Sequence, residues 1–181
     1  MICDKIPPRA AGGGYHVYGL SRKLAERKHQ VTIITRGSWK RPYYQEIING
    51  ITVYRVRFIP TFPFHLQSHG FLVSEFLKSI ESNFDVVHLH NSNIPVVHTS
   101  LPKVVTVHGT MRGHIAHRET LDLHSLVIRT FSSIYITIGR EVINSADKVI
   151  AVSKACADEL KIFYGIEDLE IIKNAVDSTF F

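Results

Sequence analysis

Asp85-Val86-Val87-His88-Leu89-His90 is a short apolar run opened by an aspartate, and Lys103-Val104-Val105-Thr106-Val107-His108 repeats the pattern before Gly109-Thr110. Near-continuous apolar runs of this length suit parallel strands buried on both faces. Side by side, two such strands carry a histidine each at their carboxyl ends, the edge where open parallel sheets bind ligands. Ordinary rim histidines on an α/β core are the competing reading of the same residues.

Working outward, strand and helix patterns alternate. Met1-Ile2-Cys3 is a very short apolar run, followed by a loop with Pro7 and Pro8. Gly12-Gly13-Gly14 opens a helical pattern with Val17, Leu20, Leu24 and Ala25 on one side, and residues 31–35 form the next strand. Two β-prone runs flank Asn49-Gly50, the strongest short hairpin signal. In the loop 57–64, Phe58, Phe62 and Phe64 either meet an acceptor or a membrane surface or fold back onto the sheet. Residues 67–82 read as a helix on Phe71, Leu72, Phe76, Leu77 and Ile80.

Beyond the central pair, 91–102 is barely long enough for one helical turn, and 111–120 is a polar, histidine-rich loop of the kind that covers a site. A long helix follows on Leu123, Leu126, Val127, Phe131, Ile134, Ile138 and Ile143, ending near Ala146. Residues 148–153 are a strand. Residues 154–164 are a helix capped by Ser153, stopped by Gly165 and packed through Ala155, Leu160 and Phe163. Residues 169–172 are the last strand, and 173–177 leave the sheet. Together these segments make an α/β domain with a mostly parallel sheet and helices on both faces.

The 181 residues suffice for one domain with a real core. At 45% hydrophobic and 20% charged, the composition is globular rather than disordered. No apolar run reaches bilayer-spanning length. Cys3 and Cys156 lack metal-type spacing and read as buried thiols of a reducing compartment, with a single disulfide left open. The formal charge of +5 favours anionic partners. Its basic residues are scattered without RNP-like or zinc-finger spacing, so nucleic acid is not an expected partner.

The glycines allow two readings. Backbone N–H groups at a helix N-terminus suit an anion, and glycine also lets a loop fold tightly over a sheet. A P-loop would need Gly-Lys-Ser/Thr where Gly-Tyr-His stands, and the dinucleotide fingerprint would need a glycine at Val17. Residues 1–3 are too short for a complete central strand, so either the native chain starts upstream of Met1 or part of that strand is missing. For a metal hydrolase, no HExxH or Cys/His ligand set is present. His88 and His90 share a strand face, and His114 and His117 would share a helix face, but nothing brings the pairs together; no metal ligand is assigned.

Taken in order, several pieces resemble the amino-terminal half of a GT-B glycosyltransferase of the large retaining family 4. They are Gly12-Gly13-Gly14 with His16-Val17-Tyr18, the run 24–32, Phe84 to His90, Val105 to Thr110, 146–153 and 172–177. The resemblance implies a Rossmann-like acceptor-side domain spanning 1–181, with the carboxyl-terminal nucleotide-binding domain absent and the chain inactive alone. It implies transfer from a nucleotide-sugar to an unknown acceptor with retention of configuration, without cofactor or catalytic metal. Gly12, Gly13 and Gly14 fall on the family loop near donor phosphates and acceptor. His108 falls on the histidine that contacts the donor sugar, the catalytic position. His16, Gly109 and Thr110 are acceptor-side candidates.

The chain departs from the family pattern at Ala11, Lys173 and Ala175, where glycine, proline and glycine are usual, and in the short segment 91–102. A non-catalytic binding module or subunit on the same fold is the rival. The expected location is cytoplasmic, with peripheral contact at the inner membrane face left open because some family members bind anionic bilayers. Lys23, Arg27, Lys28 and Arg41 are the basic residues available for it, although a solvated helix face explains the first three equally well.

Overall fold

The computed structural model describes residues 1–8, 10, 12–90, 96–116 and 123–175. Its elements are α1 (Gly12–Glu26), β1 (Thr32–Arg36), β2 (Tyr43–Ile48), β3 (Ile51–Val56), α2 (His65–Lys78), β4 (Val87–His90), β5 (Lys103–Val107), α3 (Met111–Ala116), α4 (Leu123–Asn144), β6 (Lys148–Ala151), α5 (Lys154–Tyr164) and β7 (Glu170–Ile171). The strands form two hydrogen-bonded groups, β2-β3-β1 and β4-β5-β6-β7. All pairings are parallel except β2 with β3.

Met1 to Cys3 join the two groups. Ile2 bridges Ile34 of β1 and Leu89 of β4, both in parallel. Its N–H donates to the His88 carbonyl at 2.8 Å, and its own carbonyl accepts from His90 N–H at 2.9 Å. The three residues therefore lie at the sheet centre, as the following helix required. From there the chain winds one way through α1 to β1, and later the other way through β4. The reversal makes a crevice at the carboxyl edge between these strands, the place such sheets offer a ligand.

Alternate residues of the central strands face opposite sides. Ile2, Ile34, Leu89 and Val105 enter a large cluster with Val73 and Leu77 of α2, Ile138 and Val142 of α4, and Leu160 of α5. Cys3, Ile33, Ile51 and Val53 pack with Val17 of α1 in a second cluster. Apolar residues on both faces explain why the strands read as continuous runs. Both thiols are buried and unpaired, and burial pushes Cys3 up to about 12 and Cys156 up to about 11, which makes them inert core residues.

The Asn49-Gly50 turn has φ of 48° and 80°, the positive pair a two-residue hairpin needs. Ser153 accepts from Cys156 N–H at 3.1 Å, and Gly165 ends α5 at φ 71° with N–H groups turned back onto Leu160 and Lys161. Other expectations need correction. Helix α2 starts at His65 and turns Leu66, Val73, Phe76 and Leu77 inward, leaving Phe71 exposed. Ala25 and Ala155 are also exposed; Ser21 on α1 and Cys156 and Ala157 on α5 take the inward positions. Of the loop aromatics, Phe58 lies under the Arg36 guanidinium at 4.0 Å; Phe62 meets Phe131 edge-on but stays exposed, as does Phe64. Residues 111–116 are helical rather than loop; 117–122, 91–95 and 176–177 lie outside the described residues.

Candidate functional site

Four histidines converge at the carboxyl edge of the central strands. His88 and His90 alternate along β4 and so face the same side, their rings 4.0 Å apart. His88 Nε2 lies 2.7 Å from Thr106 Oγ1 on β5. His90 faces His16 of α1 at 5.8 Å and His108, just past β5, at 6.0 Å. His16 and His108 stand edge to face at 5.0 Å. His90 is only 3% exposed, yet neither of its ring nitrogens, nor His108 Nε2, has a hydrogen-bond partner among the described protein atoms. A buried polar group left in this condition costs about 1–3 kcal/mol. Such orphans commonly mark a place where a ligand, water or ion completes the bonding.

The three glycines form the first turn of α1 instead of a loop ahead of it. Their N–H groups are therefore among those an α-helix leaves unpaired at its start. Each glycine is there for a different reason. Gly12 borders open space, and a Cβ on Gly13 would rest 3.9 Å from His108 Cδ2. A Cβ on Gly14 would run into the Lys5 carbonyl oxygen and Ala10 Cβ. Gly13 and His108 thus share one rim of the crevice.

Past His108 the chain is braced from behind. Thr110 is buried, and its hydroxyl donates to Glu159 Oε2 at 2.7 Å while accepting from Gly113 N–H at 2.9 Å. That side chain holds the turn and caps α3. The Glu159 carboxylate occupies the space a Cβ on Gly113 would need. Glu159 was not legible as a site-supporting residue, because nothing in the α5 pattern distinguishes it from a solvated face.

The site is electrically quiet. Burial lowers the pKa of His16, takes His88 and His108 down to about 4, and lowers His90 further still. The Met1 nitrogen donates to the Thr32 carbonyl at 2.7 Å, which ties the start of the central strand to β1. At neutral pH the imidazoles are uncharged hydrogen-bonding groups. The start of α1 brings partial positive charge to the crevice.

A pH dependence follows. The unfolded chain takes up protons near 6.5, whereas the folded chain holds His69, His88 and His108 neutral down to about 4. More protons are bound by the unfolded state across that window, so stability is full above about 6.5 and falls on acidification. Urea unfolding between pH 7 and 5, above most carboxylate titrations, should show a steadily falling midpoint. A flat midpoint would contradict the burial of these rings.

A cavity of about 470 Å³ opens toward the amino-terminal edge of the central strands, lined by Met1, Lys28, His29, Thr32, Asp85 and His88 among others. Its residues belong to the amino-terminal ends of β1 and β4, away from the glycines, so we assign the chemistry to the crevice. Among the described residues no helix is long and apolar enough to cross a membrane.

Comparison with known proteins gives a consistent result. Phosphatidylinositol N-acetylglucosaminyltransferase GPI3 subunits from three strains of Saccharomyces cerevisiae are each 27% identical over 187 residues. The match covers 98% of this chain and 39% of theirs, so the chain spans about two-fifths of the length of these relatives. A sucrose-phosphate synthase structure from Thermosynechococcus elongatus shares the fold with a TM-score of 0.57 at 12% identity, over 90% of this chain and 85% of that one. The architecture is thus one Rossmann-like half of the GT-B arrangement. Residues 10–180 match the Glycosyltransferase Family 4 profile, and with nearly the whole chain matched, the protein belongs to Glycosyltransferase Family 4.

Proposed function

We propose that this chain is the acceptor-side half of a retaining glycosyltransferase, which moves a sugar from a nucleotide donor to an acceptor when a nucleotide-binding domain closes over the crevice. The observation that best supports this reading is the meeting of Gly13 and His108 on one rim. Transfer in this family generally proceeds without a catalytic metal, so charge developing on the leaving diphosphate needs protein donors. The first-turn N–H groups of Gly12, Gly13 and Gly14 suit that task, in a crevice whose imidazoles are neutral. His108 would orient the donor sugar by a hydrogen bond through its unpartnered Nε2. His16, Gly109 and the turn held by Thr110 would flank the acceptor.

The relatives' names suggest the first pair to try, an N-acetylglucosamine donor and phosphatidylinositol. A lipid acceptor would also give a use to the exposed Trp39, Phe62, Phe64 and Phe71 and to the basic Lys40 and Arg41 at peripheral contact with a cytoplasmic membrane face. The test is a panel of nucleotide-sugars, assayed for binding and turnover on the full-length protein with phosphatidylinositol vesicles. Saturable binding of one donor with transfer to lipid is expected. No binding of any nucleotide-sugar by the full-length protein would overturn the reading.

A further inference from the structure

The geometry points to a transition-metal site formed by His16, His90 and His108, whose occupation excludes a sugar from the same rim. One potential ligand nitrogen from each ring lies within 4.8 Å of the other two. Three points so placed share a centre within about 2.8 Å of each, against about 2.0–2.1 Å for a zinc–imidazole bond, so modest ring rotations close the set. The three ligands come from different elements. His16 is on α1, His90 ends β4, and His108 follows β5.

Two observations distinguish this cluster from a chance meeting of rings. His90 is 3% exposed with both nitrogens unpartnered, and His108 Nε2 is buried and unpartnered in the same place. Buried imidazole nitrogens aimed at one another need a donor or an electrophile between them. In addition, the ring of His90 is backed by His88, which is itself held by Thr106. Three histidines without a carboxylate suit Zn²⁺, Cu²⁺, Co²⁺ or Ni²⁺ rather than Mg²⁺ or Ca²⁺. With three protein ligands, a fourth position stays open to solvent or to a ligand atom.

Since transfer in this family generally needs no catalytic metal, the ion would regulate the crevice instead of driving the reaction. Exclusion of the donor rests on the reading of His108 given above; the metal site itself rests on the cluster alone. The experiment separates them. Tag-free full-length protein is titrated with Zn²⁺ by calorimetry and with Co²⁺ by visible absorption. One ion per chain is expected, with the intense bands of low-coordinate Co²⁺. His16→Ala, a half-exposed position that the fold should tolerate, is expected to weaken binding by about 100-fold or more. His108→Ala should do the same, and the exposed His29→Ala should change nothing. Absence of one-to-one binding below millimolar metal, or affinity indifferent to both cluster variants, would overturn the site. Nucleotide-sugar binding is then measured with and without Zn²⁺. Competition supports exclusion, and simultaneous binding overturns it while leaving the site standing. Metal binding in a protein that binds no nucleotide-sugar would count against the transfer reading alone.

Discussion

In the full-length protein, His108→Ala is expected to lower kcat/KM for sugar transfer by about 10²-fold or more with the fold intact. The side chain sits at the tip of β5 beside Gly13, and among the described residues its Nε2 has no partner to lose. Removing the ring therefore breaks no hydrogen bond of Nε2 to the described residues but takes away the group proposed to hold the donor sugar. The pH profile separates this role from acid–base chemistry. Burial keeps His108 neutral down to about 4, so wild-type kcat/KM should show no break near 6.5 arising from this residue. A variant with unchanged kcat/KM would remove His108 from the mechanism.

The second large effect concerns stability. Gly14→Ala places a methyl group against the Lys5 carbonyl oxygen and Ala10 Cβ. A backbone carbonyl has no rotamer with which to move aside, so α1 and the segment before it must separate. Overpacking of this kind costs about 1–3 kcal/mol, a fall in Tm of about 2–4 °C per kcal/mol for a chain of this size. Its neighbours should behave differently. Gly12 faces open space, so alanine there should be neutral or stabilising by up to about 1 kcal/mol through helix propensity. Gly13→Ala should fold normally, because its Cβ meets His108 at an ordinary contact distance, but should weaken donor binding on that rim. Thermal melts of the three variants decide this. Equal loss at all three positions would mean that the glycines serve only the helix.

Legibility from the residues alone followed the range of the interactions. The Asn49-Gly50 turn and the ends of α5 at Ser153 and Gly165 were readable because their determinants lie within a few residues. The central position of residues 1–3 followed from the helix after them, and Ile2 bridges both neighbouring strands. The helix at 111–116 was missed because six residues with an internal glycine carry too little periodicity, and its support comes from Thr110 and Glu159, 49 residues apart. Burial on α2 and α5 was misjudged at Phe71 and Ala155, since apolar character alone does not settle which side of a helix meets the sheet.

The histidines show the same limit most clearly. That His88 and His90 share a strand face was readable from their spacing by two. Spacing offers no companion for this pair, since nothing in it joins His88 and His90 to His114 and His117; the rings that reach His90 from other elements are His16 and His108. Only the winding of the sheet joins α1, β4 and β5 at one crevice. A buried histidine in an otherwise apolar strand was the available hint that something polar awaited it.

The most direct measurement is NMR of full-length protein labelled at glycine and histidine, titrated with the nucleotide-sugar selected in the panel. The account predicts that the Gly13 amide and His108 imidazole signals shift together along one binding curve. Shifts confined to residues away from this rim, with Gly13 and His108 unmoved at saturating donor, would contradict it.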